Sequence, residues 1–359
     1  MTAVLLIQHR VNPRTARGTG HFPQKDQQEL PLPSVSENIK FNGRFNRSRP
    51  VYATYMGMRQ QRTQPMGYVI ATANMKGGVG KTTLTVNLAT CLAKNHGKRV
   101  LVLDLDSQIS ATLSLMSPLD FAKRRKQSKT FRYLIDQVIN PDPEAKLTIK
   151  DIIQSQVCNL PGLDLLPGDI DLYDEFAVSE MLHQQATALG EQDFETIWNR
   201  FERVLINNIL KPVRQEYDFI LLDCAPGYNL LTRSALAASD FYILPAKPEP
   251  LSVVGIQLLE RRITKLKDSH GHETKIDIKM LGIVFSMSSA NLLTGRYYKQ
   301  VMHRVVEDFG VEKICKVQIP VDVNVAKAVD SFMPAILNAP QSAGSKAFFQ
   351  LTQELLQKL

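Results

Sequence analysis

The segment KGGVGKTT (residues 76–83) directly follows an apolar, β-branched run, YVIATAN (68–74), and leads into a segment of helical periodicity (81–95). The glycines of this segment let backbone N–H groups turn inward and approach phosphate oxygens closely. The N-terminus of the following helix adds the positive end of its dipole. Lys81 is placed to reach the β and γ phosphates of a nucleotide, and the Thr82 hydroxyl to ligate Mg²⁺. The sequence therefore predicts a phosphate-binding loop between a strand and a helix.

Two common glycine patterns do not describe this loop. The pattern GxxxxGK[ST] fails at its first position, which is Met75, and the dinucleotide pattern GxGxxG fails because Thr83 stands where the third glycine belongs. What distinguishes the loop is an additional lysine, Lys76, at its start.

With this additional lysine the motif resembles the deviant Walker A motif of the ParA/MinD ATPases, and the resemblance extends over residues 67–359. It implies ATP and Mg²⁺ as cofactors. In that family the first lysine of the motif, here Lys76, crosses a homodimer interface to the partner's ATP and takes part in catalysis. Such a cation contributes most once a closed interface excludes water. The implied nucleotide-binding residues are Lys76, Gly77, Gly78, Val79, Gly80, Lys81, Thr82 and Thr83.

A second motif, DLDSQ (104–108), ends the next apolar run and resembles the family's DxDPQ segment, with Ser107 in place of the proline. The resemblance implies that Asp106 is catalytic and orients the attacking water, and that Asp104 lies near the Mg²⁺ shell. A single carboxylate with little help predicts slow ATP hydrolysis. The alternative role for both aspartates is capping of the following helix.

A third motif, FILLDCAPG (219–227), has the pattern of a Walker B strand, with four apolar residues followed by an acid. Asp223 is expected to hold Mg²⁺ through water, so the predicted metal set is Thr82, Asp104 and Asp223, with both aspartates acting through water. Pro226 and Gly227 are expected to begin a second switch loop that senses the γ-phosphate. The alternative is an ordinary buried strand that ends in a polar turn.

The rest of the chain alternates apolar runs with amphipathic segments. This pattern predicts an α/β fold with a mainly parallel P-loop NTPase sheet and helices on both faces. Residues 117–130 are interpreted as an exposed basic loop. Further strands are predicted at 99–106, 163–167, 218–223, 240–246 and 278–287, and further helices at 193–215, 251–268, 296–309 and 343–358.

Composition is that of a soluble globular protein, with 44% hydrophobic and 22% charged residues in 359. The four cysteines are scattered, which argues against a disulfide scaffold or a zinc site and favours a reducing cytosol. The apolar runs are too short to span a bilayer. We therefore expect a cytoplasmic protein.

Residues 1–66 contain ten Lys or Arg and three Asp or Glu, so they account for +7 of the formal net charge of +8. They lack helical or strand periodicity, which predicts a basic, disordered arm ahead of one ATPase domain at 67–359. Two interpretations stay open: a tether that holds DNA phosphates without sequence preference, or upstream sequence from a wrongly assigned start. The arm is too short for the helix-turn-helix domain of larger partition ATPases, so operator-specific repression is not expected.

Downstream segments resemble ParA-type partition proteins more than other branches: LDLLPGDIDLYDEF (163–176), ILPAKPEPLSVVGIQLLERRI (243–263) and IPVDVNVAKAVDSFMPAI (319–336). The resemblance implies an ATP-dependent homodimer that binds DNA non-specifically, a ParB-like or cargo-adaptor partner, and a nucleoid-associated role in plasmid or chromosome partition. The alternatives are positioning of a protein cargo and a MinD-like role on a membrane surface.

Further departures from the family pattern concern DNA and adenine recognition. Val321 and Asn324 stand where arginines often grip DNA, and Ser286 stands where an asparagine often reads adenine. DNA contact is therefore assigned to other cations: Arg296, Lys299, Arg304 and Lys327. The alternative is that these side chains are exposed to solvent and bind nothing.

The chain ends in KAFFQLTQELLQKL (346–359), which is amphipathic at helical spacing. A MinD-like membrane helix would have this pattern, and so would a final helix packed on the sheet. We expect packing on the sheet, and membrane binding is not expected.

Overall fold

The computed structural model describes residues 67–190, 193–269, 276–288 and 294–359, without the side chains of residues 189, 269, 287–288 and 294–299. Its seven strands form one sheet in the order β3-β2-β4-β1-β5-β6-β7, and all of the paired neighbours run parallel. The predicted α/β fold with a parallel sheet is confirmed. The strands are β1 (Tyr68–Thr72), β2 (Val100–Leu105), β3 (Leu163–Leu166), β4 (Phe219–Cys224), β5 (Phe241–Ala246), β6 (Lys279–Ser288) and β7 (Ile319–Pro320).

Helices cover both faces of this sheet. They are α1 (Lys81–His96), α2 (Ser110–Leu115), α3 (Pro118–Lys126), α4 (Phe131–Ile139), α5 (Ile149–Ile152), α6 (Glu175–Leu189), α7 (Phe194–Leu210), α8 (Leu230–Ala238), α9 (Pro250–Ser269), α10 (Thr294–Phe309), α11 (Val323–Asp330), α12 (Ala335–Asn338) and α13 (Ala343–Lys358). Among the described residues, no helix is both long and apolar enough to cross a membrane.

Two apolar cores lie on opposite sides of the sheet, because successive strand side chains point to opposite faces. Val69 of β1 belongs to the core under α4 and α6–α10, and its neighbour Ile70 belongs to the core under α1 and α13. All residues of β2 and β4 are buried, which explains why these strands read as continuous apolar runs.

The C-terminal helix α13 packs against α1. Phe348, Leu351 and Leu355 are almost completely buried in the second core. The prediction that this amphipathic segment packs on the domain is confirmed, since its apolar face is already covered.

The interpretation of residues 117–130 as a loop was wrong, because α3 occupies Pro118–Lys126. The Ser117 side chain accepts a hydrogen bond from the Asp120 amide as N-cap, and Pro118 opens the first turn. Serine followed by proline is a strong helix-start signal, which the many basic residues of the segment obscured. Strand β7, with two residues, was not predicted.

Parallel strands bring the motifs to one edge of the sheet, at the carboxyl ends of β1, β2 and β4. In the strand register Asp223 of β4 lies between Asp104 of β2 and Thr72 of β1. The phosphate loop, the DLDSQ segment and the Walker B acid are thus neighbours in space. The basic arm at residues 1–66 lies outside the described residues.

Candidate active site

The phosphate loop takes a conformation that only glycine adopts readily. Gly78 and Gly80 have φ of 68° and 91°, in the left-handed region. At Gly78 the backbone conformation favours glycine, and lack of space does not, because a Cβ there would meet nothing within 4 Å. Gly80 directly precedes α1, and its carbonyl accepts the Leu84 N–H at 2.9 Å. The first amides of α1 therefore face the loop, as an anion-binding helix terminus requires.

Lys81 is buried at the first position of α1, and its Nζ donates to the Lys76 carbonyl at 3.1 Å. Burial lowers the pKa of this ammonium, and the charge of Asp223 opposes that shift. An ammonium has three donors, so Lys81 can hold the loop carbonyl and still donate to a phosphate oxygen.

The Walker B acid is linked to α1 by two hydroxyl groups. Thr82 Oγ1 donates to Asp223 Oδ2 at 2.7 Å, and Thr85 Oγ1 donates to Asp223 Oδ1 at 3.0 Å. Burial, reinforced by the neighbouring Asp104 carboxylate, raises the pKa of Asp223 to about 7. A buried carboxylate of this kind is poised to gain a cation, because an incoming positive charge offsets its desolvation.

The Asp104 carboxylate is hydrogen-bonded to the segment that follows β2. Its Oδ2 accepts both the amide (2.7 Å) and the hydroxyl (2.8 Å) of Thr112 on α2, and its Oδ1 accepts the Asp106 amide at 3.2 Å. Burial raises the pKa of Asp104 to about 6. Asp104 therefore anchors α2 to the end of β2, and its role near the Mg²⁺ shell stays a prediction.

Asp106 lies in a tight turn between β2 and α2. Its Oδ1 accepts the Gln108 amide at 3.0 Å, so this carboxylate is partly used by its own loop. Ile109, the N-cap position of α2, has φ of 49°, which is rare for a β-branched side chain. The segment from Asp106 to Ile109 thus holds backbone strain, a property of regions that switch conformation.

Lys76 stands at the mouth of the loop, with 34% of its side chain exposed. Its Nζ lies 2.6 Å from Oε2 of Glu249, whose side chain is 48% exposed. The Lys76 amide donates to Asn74 Oδ1 at 2.9 Å, and Asn74 Nδ2 donates to the Pro245 carbonyl at 2.8 Å. The first lysine of the motif is thus held by β1 and β5 and reaches along the surface of its own chain.

Four residues of this site were not predicted from the sequence: Asn74, Thr85, Thr112 and Glu249. Asn74 ends the predicted first strand and its buried amide shapes the loop, so a polar residue next to the glycines was the available signal. Glu249 lies in the quoted 243–263 segment, but only the fold brings it to Lys76. Thr112 had no signal in the sequence.

A cavity of about 430 Å³ adjoins the phosphate loop at Gly80 and Thr83. Its volume suits a base with its ribose, and it is walled mainly by apolar groups of β6, β7 and α11. Ser286 Oγ donates to the Val79 carbonyl at 2.8 Å, so this hydroxyl supports the loop and cannot donate to a base at the same time.

The residues proposed for DNA contact lie on two helices. Arg304 of α10 and Lys327 of α11 are exposed. Arg296 and Lys299 also belong to α10, but their side chains lie outside the described residues. Where the resemblance expects arginines, Asn324 is exposed and Val321 is 57% exposed.

The donors of this site fit a magnesium nucleotide. Hard oxygen donors, the Thr82 hydroxyl and the Asp223 carboxylate, stand beside inward-facing amides and a buried ammonium. Within the described ranges no group of three or more His, Cys, Asp or Glu could hold a metal by itself. Mg²⁺ in phosphate sites relies on one or two protein groups, phosphate oxygens and water.

Comparison with known proteins also indicates a nucleotide-binding protein. A family model described as an AAA domain matches residues 67–278. The sporulation initiation inhibitor protein Soj of Bacillus subtilis is 31% identical over 290 residues, covering 81% of this chain and 98% of Soj. The chromosome partitioning protein ParA of Caulobacter vibrioides is 31% identical over 293 residues, covering 81% of this chain and 94% of that protein.

Among solved structures, the septum site-determining protein MinD of Pyrococcus horikoshii, complexed with Mg-ADP, aligns with a TM-score of 0.54. It is 22% identical and covers 81% of this chain and 96% of that chain, a likeness that shows the fold. A parallel sheet with a glycine-rich loop entering its first helix defines a P-loop nucleotide-binding protein. With these relatives, the chain belongs to the ParA/MinD family of P-loop ATPases.

Proposed function

We propose that this chain is a partition ATPase that closes into a homodimer around ATP and Mg²⁺ and binds DNA without sequence preference. A ParB-like protein or another cargo adaptor stimulates its slow hydrolysis and releases it from the nucleoid. Repeated cycles then segregate a plasmid or a chromosome. In this proposal the ATPase domain is residues 67–359, and the basic arm at 1–66 is an additional DNA tether.

The position of Lys76 carries the proposal. Its ammonium lies at the open mouth of the phosphate loop and, among the residues that the structure describes, is paired with the exposed carboxylate of Glu249. Exposed ion pairs of this kind contribute little, about 0.2–1 kcal/mol. A partner's phosphates offer more negative charge than one carboxylate, so Lys76 can exchange Glu249 for a partner's nucleotide.

Within one chain, different residues bind the phosphates, the metal and the attacking water. The amides from Gly77 to Gly80 and the Lys81 ammonium hold the phosphates, while Thr82 and Asp223 hold the metal side of the nucleotide. Mg²⁺, when bound, would neutralise charge on the phosphate oxygens. Asp106 orients the attacking water. With one carboxylate in that role, hydrolysis is slow and depends on closure of the dimer.

DNA binding is assigned to Arg304 and Lys327, together with Arg296 and Lys299 of α10 and the arm. Each cation that neutralises a phosphate releases counterions, so this binding falls with salt. Closure of the dimer doubles the number of cations on one assembly, which makes DNA binding depend on ATP.

A second candidate function, positioning of a protein cargo, is favoured by the surface around α11. Val321, Val323 and Val329 are each more than half exposed, at the place where a DNA-gripping surface is expected. A membrane-surface role has less support, because the apolar face of α13 is buried in the domain.

The test is a DNA co-sedimentation assay on the full chain with ATP, ADP and no nucleotide, alongside phosphate release with and without DNA. We expect binding only with ATP, and loss of both activities in Lys81→Ala. DNA binding of equal strength without nucleotide would contradict the cycle. Binding that survives in Lys81→Ala but disappears on deletion of residues 1–65 would assign the DNA grip to the arm alone.

A further inference from the structure

The loop that follows the Walker B acid is fastened to α9 by one tyrosine. Tyr228 comes directly after Pro226 and Gly227, and its hydroxyl donates to the Arg262 carbonyl at 3.0 Å. Burial raises the pKa of Tyr228 to about 12, so the phenol keeps its proton at neutral pH. The hydrogen bond ties this loop to a helix on the face of the sheet that carries α7–α9.

Two guanidinium groups flank the same ring. The Arg262 guanidinium carbon lies 5.7 Å from the ring centroid of Tyr228, and that of Arg233 lies 5.8 Å from it. Both distances fall within the range of cation–π attraction. The position of the Tyr228 ring is therefore coupled to the positions of two charged side chains, one on α8 and one on α9.

Arg233 extends this coupling to α7. It forms an ion pair with Glu202, which is almost completely buried, and its guanidinium carbon also lies 5.8 Å from the ring centroid of Trp198. Separating a buried ion pair leaves an uncompensated charge at high cost. Arg233 is therefore held by Glu202, and its guanidinium lies near the rings of both Tyr228 and Trp198.

The other end of this chain of contacts meets the phosphate loop. The Pro226 side chain lies 3.8 Å from the point where a Cβ on Gly77 would stand. Gly227 has φ of 94°, a left-handed conformation that lets the backbone turn there. Pro226 is thus a neighbour of the phosphate loop and stands two residues before Tyr228 in the same loop.

We propose that Tyr228 is a positioning residue that holds the loop after Asp223 against α8 and α9 and transmits its nucleotide-dependent position to Arg233 and Trp198. The proposal rests on the proposed function, because it takes the γ-phosphate as the signal. In this proposal the face formed by α7, α8 and α9 has one conformation with ATP bound and another with ADP bound. Tyr228 need not touch the nucleotide for this role.

Trp198 gives the proposal an internal probe, because it is the only tryptophan of the chain. The emission of an indole responds to movement of a nearby charge such as Arg233. The experiment records the emission spectrum of the full chain with Mg²⁺ and either ADP or a non-hydrolysable ATP analogue. Nucleotide affinity is measured separately with a fluorescently labelled nucleotide, and ATP turnover by phosphate release.

Two substitutions at Tyr228 separate its functions. Tyr228→Leu removes both the hydroxyl and the ring, whereas Tyr228→Phe keeps the ring between the guanidinium groups and loses only the hydrogen bond. The matched control is Tyr217→Phe, which removes the buried hydroxyl that donates to Asp164 at 2.8 Å, at the opposite end of β4. Thermal melting of each variant reports its folding.

We expect the analogue, but not ADP, to change Trp198 emission in the wild-type chain and in Tyr217→Phe. Tyr228→Leu should lose this change while binding nucleotide within about twofold of wild type, the spread expected of a substitution outside the binding site. Tyr228→Phe should lower kcat about fivefold with little change in KM, the worth of one neutral hydrogen bond. If Tyr228→Leu does not fold, Tyr228→Phe decides the question through kcat and KM.

The proposal is overturned if emission is the same with ADP and analogue in the wild-type chain, or if Tyr228→Leu keeps the wild-type change. It is equally overturned if Tyr217→Phe abolishes the change as Tyr228→Leu does. A wild-type chain that changes emission but stays monomeric with analogue would contradict the proposed function and leave the role of Tyr228 intact.

Discussion

Lys76 and Glu249 form an ion pair within a single chain, with 2.6 Å between Nζ and Oε2. The lysine stands at the start of the phosphate loop, and the glutamate stands one residue before α9. The neighbouring lysine lowers the pKa of Glu249, so the carboxylate is ionised at neutral pH. In the proposed cycle this pair competes with the partner's nucleotide for the same ammonium, and opening it precedes closure of the dimer.

Glu249→Gln should therefore favour the dimer. Removing the charge of Glu249 frees Lys76 in both subunits, and two exposed ion pairs of about 0.2–1 kcal/mol each correspond to a dimerisation constant raised by up to about thirtyfold. The measurement is the ATP-dependent dissociation constant from analytical ultracentrifugation. The matched control is Glu216→Gln, which removes the carboxylate of another exposed Lys–Glu pair, Lys150–Glu216, remote from the phosphate loop. Weaker dimerisation in Glu249→Gln would show that the glutamate supports the closed state.

Asp106→Ala should trap an ATP-bound dimer. The substitution removes the carboxylate assigned to the attacking water but leaves the phosphate loop and Asp223 in place. Turnover should fall at least about a hundredfold, the usual effect of removing one group that acts in the transition state, with ATP affinity nearly unchanged. Phosphate release and retention of labelled ATP on the dimer measure the two effects. Faster hydrolysis in this variant would exclude the assigned role.

Nucleotide binding with Mg²⁺ should strengthen as the pH rises from 6 to 8. The pKa of Asp223 is raised from 3.8 to about 7, so the empty site is partly protonated near neutrality, and metal binding requires the ionised form. Ionisation of one such group over this range corresponds to about a tenfold gain in affinity. Titration with labelled nucleotide measures it.

The raised pKa of Asp223 has the opposite effect on the stability of the nucleotide-free protein. Between about pH 4 and 7 the folded chain binds the proton of Asp223 more tightly than the unfolded chain, so the contribution of Asp223 to the free energy of unfolding falls as the pH rises.

The control for the binding experiment is EDTA, in which the pH dependence of nucleotide affinity should shrink. An equally steep dependence in EDTA would assign it to the nucleotide and not to Asp223.

Charge reversal at the proposed DNA contacts should weaken ATP-dependent DNA binding at all sequences alike. Arg304→Glu and Lys327→Glu each remove one phosphate contact per subunit, so each should lower the salt slope of the dimer by about two units. Lys150→Glu, a reversal of an exposed lysine on α5, is the control and should have no comparable effect. The readout is fluorescence anisotropy of labelled duplexes over a salt series. Slopes equal to wild type in both variants would exclude Arg304 and Lys327 and leave Arg296, Lys299 and the arm as the assigned DNA contacts.

Much of the fold followed from local patterns. The strands from Tyr68 to Ser288 were predicted because buried parallel strands are continuous apolar runs, and α1 and α13 because their apolar residues recur at helical spacing. Strand β7 escaped prediction because two residues cannot show a period. Helix α3 was not predicted because its basic composition is also typical of an exposed loop, although Ser117 and Pro118 are a helix-start signal.

The geometry of the site was predictable where its residues belong to recognisable motifs. Thr82 of the phosphate loop and Asp223 of the Walker B strand lie within hydrogen-bond distance, since parallel strands place their carboxyl ends along one edge. Their roles in nucleotide and metal binding stay predictions. The Lys76–Glu249 pair could not be predicted, because its partners are far apart in sequence and meet only through the order of β1 and β5. The hydrogen bonds from Thr112 to Asp104 depend on how α2 returns over the sheet, which no local pattern encodes.

The most direct test of the central claim is the mass of the chain in solution, measured by light scattering with Mg²⁺ and a saturating non-hydrolysable ATP analogue. We predict that the wild-type mass doubles with the analogue and not with ADP. Lys76→Ala should bind the analogue yet remain largely monomeric, and Lys81→Ala should not bind it. A wild-type chain that is saturated with analogue and still monomeric would contradict the account, as would a Lys76→Ala variant that dimerises as tightly as wild type.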